Sequence, residues 1–371
     1  MANILVILII ILCAVFQYFK GNITRAVATI IVALSATFVS FGYYEMLSGL
    51  LDRVESLVPW AQVISFMLLF ILSFAIMQTL VMFSLKEPVD FGLWPERIGR
   101  PVMGIFLGWI ISGVLITAVS LAPLSTKFPY TRFDPDRPAV DSPKTVLLNA
   151  DGFVTGWFSK ISHGAFSSFK KDADSFAMVR AGFLDQLFLN RIALDAKKPP
   201  TLRTSKEALS VDRKVACWFA EDLVDVEGEA ISAKSGHRLM VVNMGIKLGS
   251  DGSPFTLSQV RAICKAQGDG KPNQGQGVCV YPIGTLASET VVDERPLNEV
   301  LTIDKDNGNP RFIAFVFNVP GGTFPTLAQF KLNNSVAIPK PVAIEEARDK
   351  IVPFGVTERT QETGEDAGAQ N

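Results

Sequence analysis

Residues 57–83 read LVPWAQVISFMLLFILSFAIMQTLVMF, a run with no charged side chain. A helix needs about 20 mostly apolar residues to cross roughly 30 Å of hydrocarbon, so this run can span and tilt. Three more charge-free runs accompany it, at 1–19, 26–44 and 101–124. Core helices of soluble proteins are shorter and broken by polar positions. The four runs predict a four-helix transmembrane bundle over residues 1–124. The first run has no basic residue before it and ends in Tyr18, Phe19 and Lys20 rather than small residues. It therefore reads as a retained span, not as a cleaved leader. Tyr18, Tyr43, Tyr44, Trp60 and Trp94 stand near predicted span ends, as aromatics at membrane interfaces do.

The charge distribution divides the 371-residue chain in two. Residues 1–124 carry six basic and six acidic side chains, against 29 and 30 in residues 125–371. Net charge is −1 and balanced in both parts, so no basic surface points to nucleic acid. Four cysteines and two histidines, scattered, make no zinc framework. Inside the spans nothing is charged, Gln17 and Gln78 being among the few strongly polar residues, which counts against an ion-coupled transporter. Lys20, Arg25, Lys86, Arg97 and Arg100 fall in two loops on one side, and only Arg53 falls in the short loop opposite. Lys127, Arg132 and Arg137 follow span four on that side, but a long domain translocates with little regard to charge. The positive-inside rule then puts the basic loops in the cytoplasm and both the N-terminus and the remaining two thirds outside it.

Span four carries Gly104, Gly108 and Ser112, a small residue every fourth position. In lipid, such a face lets helices approach closely. The helix it packs against is either another span or a second copy. At 125–144 prolines and charges make a linker leaving the membrane. Residues 145–198 hold two amphipathic helical patterns. Val154, Trp157, Phe158 and Ile161 form the first, with Asp151 at its N-cap. Phe176, Val179, Phe183, Leu184 and Leu187 form the second, with Arg180, Asp185 and Arg191 off that face. These helices either pack on a domain core or lie on the membrane surface, where Lys160, Lys170 and Lys171 would meet head groups.

From 199 to 345 the period shortens to two. Met240, Val242, Met244, Ile246 and Leu248 alternate, as do Val260, Ala262, Cys264 and Ala266, then Ile313, Phe315, Phe317 and Val319. Ala328, Phe330 and Leu332 follow a Pro-Gly-Gly turn at 320–322. Such strands predict an antiparallel β-sandwich, with the immunoglobulin-like form as one version. The fold class is α+β. The segment 346–371 ends in a polar, acidic stretch without periodicity and is expected to be disordered.

Cys264 and Cys279 fall on two predicted strands joined by a turn-rich run, so a hairpin could bond them; two reduced core cysteines are the alternative. Gly268-Asp269-Gly270-Lys271 lacks the Gly-Lys-Ser/Thr ending of a phosphate loop and reads as a hairpin loop. Ser162 and His163 are adjacent without an orienting acid. His237 opens a strand and is expected to touch solvent. No catalytic, cofactor-binding or metal-binding residue emerges, and the chain reads as a non-enzyme without a cofactor.

Four short-looped spans, a basic turn after the first and a Gly-rich fourth resemble the colicin V production (CvpA) family of bacterial inner-membrane proteins. The family's Gly-x-x-Arg after span one is nearest to Gly21-Asn22-Ile23-Thr24-Arg25, one residue longer here. Its Asp-Arg before span four is matched by Glu96-Arg97, and two of its later glycines by Gly104 and Gly108. Arg100 stands where the first glycine of that motif is usual, and Leu107 replaces its second arginine. The likeness covers residues 1–125. It implies a multi-pass inner-membrane protein linked to production or export of a colicin-type toxin and to envelope maintenance, without catalytic activity. Two functions fit these features. One is a membrane module presenting a β-domain to an envelope partner. The other is a pore or export component assembled from copies of the chain. The partners expected are the lipid bilayer and either a second copy or another envelope protein.

Overall fold

Long apolar runs without helix breakers become helices, since a backbone away from water must satisfy its own hydrogen bonds. The computed structural model describes residues 1–51, 54–85, 89, 91–163, 175–195, 201–205, 207–247, 254–266, 275–303, 310–347, 351 and 353–354. It has α1 (Ala2–Lys20), α2 (Ile23–Leu51), α3 (Ala61–Ser84) and α4 (Leu93–Ser120). All four are long and apolar enough to cross a membrane. α2 and α4 run past the apolar limits read from the sequence, to 29 and 28 residues. α2 continues through Glu45, and α4 begins two turns early with Glu96 in its first turn, where a carboxylate suits the helix dipole.

The helices form a row more than a closed bundle. α1 runs antiparallel along α4, α4 lies on α2, and α2 on α3, while α3 barely touches α4. The outer helices leave their apolar surfaces bare. Leu8, Ile11, Leu12 and Phe16 of α1 and Leu68, Leu72, Ile76 and Leu80 of α3 are exposed. Such surfaces place the N-terminal region in a membrane.

Three short helices follow: α5 (Ala150–His163), α6 (Phe176–Val179) and α7 (Phe183–Ile192). The second expected helix is thus two: α6 stops at Val179, capped by Arg180, and Gly182, with a left-handed φ of 65°, is the N-cap of α7. These helices fill the space between the spans and the β-domain. Val154 and Phe158 of α5 and Phe183 and Leu187 of α7 share one core with Phe41 of α2 and Phe66 of α3. The segment expected to be a linker is laid along the domain, with Phe133 buried against Phe188 and Tyr281.

The strands are β1 (Leu209–Val211), β2 (Cys217–Phe219), β3 (Val224–Asp225), β4 (His237–Ile246), β5 (Phe255–Thr256), β6 (Val260–Ala266) and β7 (Val278–Val280). After them come β8 (Pro282–Leu286), β9 (Val291–Glu294), β10 (Val300–Leu301), β11 (Arg311–Pro320), β12 (Thr323–Phe330), β13 (Asn334–Ala337) and the short α8 (Ile344–Ala347). One sheet runs β1-β4-β11-β8-β9-β3, with β2 also beside β4, and a second runs β13-β12-β6-β7; β5 and β10 pair separately. The chain changes sheets between β11 and β12 at the Pro-Gly-Gly turn, where Gly322 has φ 76°.

The alternation in the sequence points where expected. Met240, Val242 and Met244 of β4 and Phe315 and Phe317 of β11 face Val260, Ala262, Cys264 and Phe330 across one apolar core. Two findings depart from the expected sandwich. The large sheet is mixed, because β3 and β9 pair in parallel. Its outer face is also covered, since Leu239, Val241, Ala314 and Val316 pack under Trp218, Leu286 and Ala347. Leu248, the run 268–271 and everything beyond 354 lie outside the described residues.

Candidate functional site

Charged residues of the helical layer fasten the domain to the ends of the spans. Arg191 of α7 is 1% exposed. Its guanidinium donates to the carbonyls of Leu124 (2.9 Å), Ser125 (2.5 Å), Ser120 (3.4 Å) and Phe128. Of these only Ser120 belongs to α4, whose last carbonyls have no partner within the helix; the others lie in the turn that follows, so Arg191 ties the end of α4 and that turn to the domain. Its charged group also lies 5.1 Å over the Phe188 ring, and burial pulls its pKa down to about 10. Ser125 and Thr126 both donate to Asp195, just after α7.

Two further links act beside it. Arg180 pairs with Glu45 at the extended end of α2 (2.7 Å) and donates to Leu332 O (2.8 Å). Arg132 pairs with Asp185 (2.7 Å) and donates to Tyr130, whose hydroxyl donates to the fully buried Asp151 (2.6 Å). Burial, reinforced by the Asp151 charge, pushes the Tyr130 phenol well above its ordinary range.

On the domain, a groove of about 790 Å³ opens between residues 138–141, β7–β8, residues 294–297 and the start of β4. Asp141, Lys234, His237, Cys279, Tyr281 and Arg295 line it. Lys234 donates to Asp141 across its rim at 2.5 Å, and the His237 Nδ1 lies 3.0 Å from Ser235 O. Burial raises Cys279 to about 11, although the nearby Arg261 charge acts the other way. A thiol held that high stays protonated near neutral pH and is a poor nucleophile. Arg261, fully buried beyond Cys279, donates to Gln329 Oε1 (2.8 Å) and Lys331 O (2.6 Å). Lys331 is also fully buried, donates to Thr201 Oγ1 (2.9 Å), and burial lowers it to about 8. The groove has the size and polar lining to bind a ligand by shape and hydrogen bonds. Among the described residues, no group of three or more His, Cys, Asp or Glu converges as metal ligands would.

The residues singled out in the sequence have distinct fates. A Cβ on Gly104 would stand 2.6 Å from Ala14 Cα, and one on Gly108 2.6 Å from Ile10 Cα. Both glycines thus serve the α1–α4 contact inside one chain. Ser112 turns its hydroxyl to Trp109 O in its own helix (2.8 Å). Its neighbour Gly113 makes a close approach to the Ala150 carbonyl of α5. That role of Gly113 was missed, because a contact with α5 leaves no periodic signal in span four.

The residues of the family likeness gather at the far end of the row. Gly21 ends α1 and donates its amide to Gln17 O (2.9 Å). Glu96 is buried, accepts from Arg100 Nε (2.7 Å) and lies 3.4 Å from the Ile23 amide that opens α2. Arg25 donates to Leu85 O (3.4 Å), and Arg97 is exposed.

Cys264 and Cys279 are unbonded. The β6–β7 register sets Cys264 opposite Val278 and Cys279 opposite Ile263. Side chains alternate faces along a strand, so the one-residue offset sends the sulfurs to opposite faces of the sheet. The disulfide is therefore corrected to two free thiols, Cys264 in the sandwich core and Cys279 toward the helices and groove. Ser162 donates to Ser159 O and accepts from the Ala177 amide; the His163 side chain lies outside the described residues. No family model matches the chain, and neither a curated protein nor a solved structure does.

Proposed function

We propose that this chain is a non-enzymatic multi-pass protein of the bacterial inner membrane. In this reading it holds its β-domain outside the cytoplasm and offers the groove to an envelope partner. The observation that carries it is Arg191, a buried cation of the domain that holds the last carbonyl of α4 and the turn directly after it. A domain joined this way moves with the spans, as a presentation platform requires. Orientation rests on charge. Lys20, Arg25, Arg97 and Arg100 lie at the end of the row away from the domain, and such loops stay cytoplasmic. The link to colicin-type toxin production and envelope maintenance rests on the CvpA resemblance alone. An immunoglobulin-like kinship of the β-domain has the facing sheets in its favour and the parallel β3–β9 pair against it.

A pore of assembled copies is the second reading, and it is the weaker. Its small-residue face would have to be free, whereas Gly104 and Gly108 are taken up by α1. The test is a reporter active only outside the cytoplasm, fused after residue 371. Activity is expected, and a silent reporter in stably inserted protein overturns the placement. Purified protein running as one copy in detergent removes the pore.

A further inference from the structure

Helix α5 lies across the spans, at a depth that the spans themselves measure. Glu96 of α4 and Ile23 of α2 start level, the carboxylate 3.4 Å from the amide. Gly113, which meets the Ala150 carbonyl at the start of α5, stands 17 residues above Glu96, about 25 Å at 1.5 Å per residue. Phe158 packs on Phe38 and Phe41 of α2 (ring centroids 5.6 and 4.8 Å), which stand about 22 and 27 Å above Ile23 on the same rise. Ala150 and Phe158, two turns apart on α5, are therefore level, and the axis over this stretch runs in the membrane plane.

The antiparallel register of α1 fixes that depth. Gly104 meets Ala14, Gly108 meets Ile10, and Ala2 packs with Ile116. By this register Gly113 is level with Leu5, below the polar Asn3, which accepts the Leu147 amide at 2.9 Å. The start of α5 thus lies inside the apolar length of α1.

The surface there is apolar and uncovered. Leu148 is 62% exposed and Trp157 41%. Phe153 stacks on Trp109 of α4 at 4.2 Å, and the Trp109 indole donates to Leu148 O. Trp109 continues into the apolar surface of α1 through Ile10. Leu148 and Asn149 have φ of 56° and 47°, a backbone that L residues avoid, and it holds Leu148 outward.

We propose that the Leu147–Asn149 turn and the Phe153, Trp157 and Lys160 stripe of α5 are embedded in the lipid leaflet nearest the domain. The occupant of this face is phospholipid, with acyl chains around Leu148 and the rings and Lys160 reaching the phosphates. An in-plane amphipathic helix sits about 5–10 Å into the head-group boundary, which matches this depth. The inference rests on α1–α4 being membrane-embedded and is independent of which side the domain faces.

The test uses full-length protein in phosphatidylcholine–phosphatidylglycerol vesicles, with Cys13, Cys217, Cys264 and Cys279 replaced by Ala. An environment-sensitive fluorophore is placed through Leu148→Cys, Leu8→Cys or Val226→Cys. The Leu148 and Leu8 probes are expected to be blue-shifted, quenched by lipid brominated along its acyl chain and protected from aqueous iodide. The Val226 probe should behave in the opposite way. Iodide quenching at 148 with lipid quenching at 8 overturns this proposal alone, and iodide quenching at both overturns the embedding as well. A 148 probe hidden from both quenchers means that protein covers the face, which also overturns it. Should the thiol-free chain fail to fold, Trp157→Phe in the native background must remove a lipid-quenched part of the tryptophan emission. Unchanged quenching in that variant overturns the proposal.

Discussion

Helix α3 and strand β4 are built from the same kinds of residue and treat them in opposite ways. From Leu239 to Ile246, every residue of β4 is buried, because apolar cores lie on both faces of its sheet. α3 leaves Ile64, Leu68, Leu72, Ile76 and Leu80 bare along its length. In water that would be an aggregation surface, whereas in a bilayer lipid replaces the missing neighbours. Apolar sequence therefore has two destinations in this chain, protein core and lipid. Residues 1–124 lack the charges that would mark a wet face, which separates the two.

Truncations probe that contrast most strongly. Phe315→Ala opens a cavity in the sandwich core and should cost about 3–5 kcal/mol. Leu72→Ala should change stability by less than about 0.5 kcal/mol, since lipid or detergent contacts this side chain whether or not the helices are assembled. Equal losses in thermal unfolding of detergent-solubilised protein would erase the distinction. At the junction, Arg191→Met leaves the carbonyls of Ser120, Leu124, Ser125 and Phe128 without this donor and should cost about 3 kcal/mol. Limited proteolysis should then cut at 121–128 well before the β-domain unfolds. Gly108→Leu forces α1 from α4 and should cost about 2 kcal/mol, read as earlier loss of α1–α4 crosslinks on heating.

The smallest effect is a pH dependence. Burial lowers Lys331 to about 8, so between pH 8 and its unfolded value near 10.5 the unfolded chain binds more protons. Stability from this group therefore rises with pH across that window. The buried thiols act in the opposite direction above about pH 9, so the comparison is with Lys331→Met, which keeps them. Wild type should gain about 1 kcal/mol over the variant between pH 7.5 and 9, measured by denaturant unfolding at each pH. A constant difference would mean that Lys331 is not held in a dry site.

Much of this was legible in the sequence, and the misses share one cause. The four spans and the inward-facing alternation of β4, β6 and β11 follow from period and charge, which are local. The charge-free limits leave α2 and α4 too short because Glu45 and Arg100 look like stop signals. They are tolerated because Arg180 meets the first and Glu96 the second, and Arg180 is 135 residues away in the chain. Arg191 was placed off the buried face of its helix, yet it is buried, because the carbonyls that receive it belong to another element. Trp157 shows the reverse. Its spacing groups it with Val154 and Phe158, but it stands outside their core and is 41% exposed. Of the site, the paired glycines of span four were readable from spacing. The thiols of Cys264 and Cys279 were not, because a single-residue shift of register decides their faces and leaves no trace in either strand.

Thiol accessibility in intact membranes tests the central claim most directly. Leu8→Cys on α1, Leu72→Cys on α3 and Val226→Cys on the domain would each be exposed to a membrane-impermeant maleimide on opened vesicles. Val226→Cys should label at once, and the other two should stay unlabelled until the bilayer is dissolved. Labelling of all three at one rate would mean that water, not lipid, bathes the bare faces of α1 and α3.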